Sequence, residues 1–124
     1  TEIYTLSLHD ALPISPVEPV NPFHGLHAAV TRCRLDGSPD FEGWYPQERL
    51  SLADALDGFS SAPARISNRG TQLGRIMPGA KADMIILKDD PFTLDPHMIG
   101  SIQPLATMIN AEWVYQHPDL HIGV

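Results

Sequence analysis

A chain of 124 residues holds at most one ordinary domain, and its 43% hydrophobic content is normal for a globular protein, which argues against global disorder. The net charge of −7, with no basic run, argues against nucleic acid as a partner, because that binding needs Lys and Arg to displace phosphate counterions; the acidity suits a soluble, cytoplasmic surface. A single cysteine rules out an intrachain disulfide framework, no stretch of ~18 apolar residues is present to span a membrane, and the first residues do not read as a signal peptide.

In chain order, residues 1–15 (TEIYTLSLHDALPIS) mix a loose alternation with one possible helical turn, and neither pattern is long enough to define an element. Pro16 to Pro22 is a proline-punctuated, extended loop. Asn21 followed by Pro22 predicts a helix start, with Asn as N-cap and Pro at the first helical position, and Phe23, Leu26, His27 and Val30 continue it to about Arg34. Asp36 to Pro46 is a loop by composition. Ser51 opens the clearest helix: it is a good N-cap, Asp54 stands where a capping box places an acid, and Leu52, Ala55, Leu56 and Phe59 make one apolar stripe. Pro63 is expected to end or bend that helix.

Beyond Gly70 the pattern changes. Leu73 to Ile76 reads as a short extended piece, Met77-Pro78-Gly79 as a turn, and Ala82 to Leu87 as a strand apolar on both faces. Asp95-Pro96 predicts a short helical turn. Leu105 to Ile109 and Trp113 to Tyr115 predict two strands joined across Asn110-Ala111-Glu112. Helices followed by a late group of three or four strands make neither a βαβ array nor a self-contained sandwich, so the strands are expected to find partners in a longer chain.

Five strings in order resemble the amidohydrolase superfamily, in particular its amidohydrolase-3 (YtcJ-like) branch. Gly74 to Leu87 (GRIMPGAKADMIIL) is similar to the family's G-x-I-x-P-G-x-x-A-D-hydrophobic signature, carried here by Gly74, Pro78, Gly79, Ala82 and Asp83. Residues 51–56 resemble its L-(S/T)-x-x-E-A-L helix, residues 15–23 the loop after its last barrel strand, Asp89 to Phe92 a following turn, and Ile109 to Val114 its closing hairpin. A physical reading runs beside this: Gly79 releases a tight turn, Ala82 leaves room for close packing, and Asp83 can satisfy backbone donors before the strand.

The resemblance implies an α/β fold: the C-terminal fragment of a (β/α)8 barrel, its last loop and outer helices, followed by strands of a small composite β-sandwich. On that reading residues 1–15 are foreign, 16–69 end the barrel domain, 70–117 supply sandwich strands and 118–124 form a tail. It also implies a parent enzyme in which one or two divalent metals, commonly zinc, activate water against a carbon–nitrogen bond of an amide or cyclic ureide, other than a peptide bond. The family's His-x-His pair, its Lys or Glu and its later His ligands all lie upstream of this chain, and its final Asp aligns with Ile14, which can neither bind metal nor move a proton. No catalytic or metal-binding residue is therefore assigned here, no metal is expected to bind this chain, and the chain alone is expected to be inactive. Residues 1–15 resemble translated sequencing-adapter read-through.

Four residues are candidates for a substrate loop: Glu18 and Asn21, which follow the last barrel strand, and Trp44 and Tyr45, aromatics in a Gly/Pro-rich loop. The plain alternatives are loop capping for Glu18 and Asn21 and packing for the aromatics. His24 and His27 share a helix face and with Glu18 would make a minimal metal site, but no HExxH-type base accompanies them, so satisfied helix histidines are the better reading. His117 and His121 are separated by Pro118, which breaks a common face, and His9 and His97 have no ligand partners nearby in sequence. Cys33 lies between Arg32 and Arg34, which could activate it, yet reads as a structural thiol. A different class of function is a non-catalytic β module, residues 73–115, that binds a partner subunit; an oligomer is possible on either reading.

Overall fold

The computed structural model describes residues 19–118 and Leu120. Its elements are helices α1 (Pro22–Thr31), α2 (Leu52–Phe59) and α3 (Ser61–Ile66), 3₁₀ segments at Pro46–Glu48 and Pro96–Ser101, and strands β1 (Met84–Leu87), β2 (Pro104–Ile109) and β3 (Glu112–Gln116). They form two compact units. One runs to Phe59 and takes back Pro91–Ser101; the other holds Ser60–Asp90 and the chain from Ile102. Within the second unit α3 and the loop after it bond to one another: the Ser61 hydroxyl donates to the Gly74 carbonyl at 3.0 Å.

In the first unit α1 begins where its cap chemistry dictates. Asn21 Oδ1 accepts the Phe23 N–H at 3.0 Å, and Pro22 fills a position whose missing N–H costs nothing. Phe23, Leu26 and Val30 are buried on one stripe, each contributing roughly 1.5–3 kcal/mol. The helix packs against α2 and, more extensively, against the Pro96–Ser101 segment, whose Ile99 and Gly100 are buried. α2 starts with a reciprocal cap, the Asp54 N–H donating to Ser51 Oγ at 3.1 Å and the Ser51 hydroxyl donating to the Asp54 carboxylate at 2.6 Å. Asp95 likewise caps the 3₁₀ segment, accepting the His97 N–H at 2.9 Å.

Pro63 does not end α2. The helix stops at Phe59 and α3 restarts at Ser61, so that Pro63 sits in a first turn, where no intrahelical donor is needed.

In the second unit the sheet is antiparallel in the order β1-β2-β3. The β2–β3 hairpin closes through Asn110 (φ 51°) and Ala111 (φ 67°), two left-handed residues that match the twist of the strands. Pairing is irregular between Ile86 and Leu87 and between Thr107 and Met108. Two expectations need correction. Leu73 to Ile76 is a series of bends, not an extended strand, because Gly74 takes φ +75° to pass the Ser60 carbonyl. The strand beginning at Ala82 starts only at Met84 and is not buried on both faces: Ile85 is 49% exposed, and every residue of β3 is exposed. Ala106 in β2 is the sheet's fully buried residue among those described.

Candidate functional site

α1 ends because Arg32 turns left-handed (φ 62°) while its N–H still reaches the Ala28 carbonyl at 2.9 Å. Its own carbonyl then accepts the Trp44 N–H at 3.0 Å, and its Nε donates to the Trp44 carbonyl at 3.1 Å. The guanidinium carbon lies 5.4 Å from the Trp44 ring centroid, within cation–π range. Asp40 accepts the Gly43 N–H at 3.0 Å through both its backbone and side-chain oxygens, and Arg49 donates to the carbonyls of Thr31 and Glu42. Gly43 has φ +74°, and a Cβ there would collide with the Thr31 carbonyl. Tyr45, an aromatic residue at φ 51°, occupies a strained backbone region. These bonds hold Trp44 and Tyr45 perpendicular at 4.7 Å and leave both exposed.

Asn21 is at the other end of α1. Its side chain is used twice, as N-cap and in a 3.2 Å contact between its Nδ2 and His24 Nε2. A ten-residue helix is about 15 Å long, so Asn21 and the Trp44–Tyr45 pair do not converge on one small-molecule pocket. Glu18 and Ile14 lie outside the described residues, as do His9 and His121.

His27 is buried in α1 with 3% of its surface exposed. Desolvation, and then the like charge of His97 and of His24, hold its imidazole below the ordinary histidine range. His97, which has no ligand partner nearby in sequence, meets His27 edge to face at 6.0 Å and stacks on Phe41 at 4.2 Å. No group of three or more His, Cys, Asp or Glu among the described residues could hold a metal, so a divalent ion does not fit the donors present. Cys33 is buried, its thiol donating to the carbonyls of Asp40 (3.3 Å) and Thr31 (3.6 Å), as a structural cysteine does.

The signature residues build a clamp on the hairpin. Pro78 and Gly79 (φ +87°) make a turn closed by the Ala80 N–H on the Met77 carbonyl at 3.1 Å. The Ala82 carbonyl then accepts the Ala111 N–H at 3.1 Å, and Asp83 Oδ1 accepts the Asn110 N–H at 2.7 Å. The Asp thus serves a backbone donor from a segment 27 residues away, a partner that no local motif announces. Asp83→Ala is expected to cost about 1 kcal/mol, the site being exposed, and to speed amide exchange at Asn110 while the β1–β2 amides keep their protection. Unaltered exchange at Asn110 would count against the clamp.

Residues 5–115 match the amidohydrolase family, a span that takes in most of the fifteen residues that read as foreign. The chain is 29% identical over 102 residues to the amidohydrolase-family protein YtcJ of Bacillus subtilis, covering 82% of this chain and 19% of that protein. It is 34% identical to LONG AFTER FAR-RED 3 of Arabidopsis thaliana (81% of this chain, 16% of that protein). It is 27% identical to the N-substituted formamide deformylase of Arthrobacter pascens (82% and 18%). The chain therefore spans less than a fifth of the length of these relatives. No solved structure matches it. With the family match running through both units and the signature residues closing the hairpin, the chain belongs to the amidohydrolase family, in its amidohydrolase-3 branch.

Proposed function

We propose that this chain is the C-terminal part of a metal-dependent amidohydrolase whose parent cleaves carbon–nitrogen bonds other than peptide bonds. The observation that carries this reading is the family match over residues 5–115 in a chain that covers only 16–19% of its relatives. The likeness to a deformylase of N-substituted formamides supports small amides as the substrate class. The parent's metal, with zinc as the choice its family resemblance supports, would take its ligands from residues upstream of this chain, since the described residues present no donor set for it. When bound it would supply an activated water and polarise the scissile carbonyl.

On this reading α1 and α2 belong to the outer layer of a (β/α)8 barrel, and β1–β3 to a composite sandwich. Glu18 and Asn21, which precede α1 in the sequence, would by the family resemblance be nearest the catalytic end. Trp44 and Tyr45, about 15 Å away along the helix, would lie apart from the reacting centre.

The purified 124-residue chain, supplied with zinc or manganese, is expected to show no turnover of amides or hydantoins and no stoichiometric metal uptake. Metal-dependent turnover by that chain overturns the reading. Sequencing the locus upstream of Ser15 should reveal a continuous frame with a His-x-His region.

The exposed β3 and the uncovered Ile85 also favour a second reading, a β module completed by a separately encoded barrel. A stable stoichiometric complex on co-expression with such a barrel would select it.

A further inference from the structure

The Pro96–Ser101 segment belongs to the connection between β1 and β2 and packs on α1. It lies so flush that a Cβ on Gly100 would stand 3.5 Å from His27 Cβ and Cγ and would overlap the Leu35 side chain. Two of the described histidines face each other across this contact, His27 from α1 and His97 from the segment, and His24 stands one turn before His27. We propose that His24, His27 and His97 form an acid-sensitive latch, in which acidification detaches the Pro96–Ser101 segment from α1.

Among the described residues, the charged groups that act on His27 are like it in sign. On its own helix the acting neighbour is His24, and on the segment it is His97; both carry the same sign when protonated. Asp95 at the start of the segment already accepts the His97 N–H. In the 40–44 loop the Asp40 carboxylate accepts the Gly43 N–H, and Arg49 is directed to Thr31 and Glu42. α2 carries Asp54, bonded to Ser51, and Asp57. A proton on His27 therefore meets burial and two like charges, and it is accommodated by lifting the segment and admitting water.

The sign follows from linkage. The closed form binds the proton on His27 more weakly than the open form, so opening takes up a proton. The latch is fully closed above the free-histidine range and opens as pH falls below about 6.5, by up to tenfold per pH unit.

The test is amide exchange of the full 124-residue chain at pH 7.5 and 5.5, referred to intrinsic rates, with the His27 ring followed by NMR. Protection at Met98 and Ile99 is expected at pH 7.5 and should fall by up to about tenfold at pH 5.5, with its onset in the free-histidine range and above the pH at which the His27 ring of the closed form takes up its proton. In His27→Gln the fall should vanish. In His97→Phe, which keeps an aromatic ring for Phe41 but removes one like charge, the fall should be smaller. Absence of protection at pH 7.5, equal protection at both pH values, or a fall that persists in His27→Gln each overturns the latch; should His27→Gln not fold, an undiminished fall in His97→Phe overturns it.

Discussion

Replacing Gly74 with alanine is expected to destabilise the sheet-bearing unit by roughly 3 kcal/mol or more, while the same change at Gly79 costs about 1 kcal/mol. Both are signature glycines with left-handed backbones, φ +75° and +87°. Their surroundings separate them. A Cβ at Gly79 would meet nothing within 4 Å, so only the backbone penalty applies there. At Gly74 it would sit 2.6 Å from the Ser60 carbonyl oxygen and 2.9 Å from Ser61 Cα, both backbone atoms that cannot swing aside. Relief requires moving the start of α3 and loses the Ser61 hydroxyl bond to the Gly74 carbonyl. Urea unfolding of the two variants measures the difference; equal midpoints would show that the approach to Ser60 is not maintained in solution.

Ile99→Ala is the second large effect, expected at 2–5 kcal/mol on the helical unit. Ile99 is 1% exposed, the most deeply buried large side chain described, in the segment that packs on α1. Removing its outer carbons leaves a void between two short elements, and Gly100 beside it brings no side chain to fill the space. Thermal unfolding followed by far-UV circular dichroism should show the loss of helix at lower temperature. A shift of less than a degree would mean that the segment is not docked.

What could be read from the residues was local chemistry. Asn21-Pro22 and Ser51 with Asp54 mark helix starts because each cap is satisfied within three residues, and both form as expected. The hairpin at Asn110 was legible because a polar residue that tolerates positive φ separates two apolar runs. The bends at Leu73 to Ile76 were not legible, since they answer to a carbonyl at Ser60 that only the folded chain brings near. The break at Ser60 lies three residues before Pro63, whose ring does not set it.

The candidate site was legible in part. Nothing in the order Glu18, Asn21, Trp44, Tyr45 reveals that Arg32 reverses the chain at the end of α1, so that the aromatic pair lies against that terminus and away from Asn21. His97 and His27, seventy positions apart, come together through a 3₁₀ segment whose start was foreseen at Asp95-Pro96 but whose docking face was not.

The division into two compact units also distributes the two tryptophans: Trp44 falls in the helical unit and Trp113 in the unit with the sheet. Each unit thus carries its own intrinsic fluorophore. With Trp113→Phe the emission reports the helical unit alone, and with Trp44→Phe the sheet alone. Optical titrations of the pair can therefore tell one cooperative transition from two separate ones, without any label being attached.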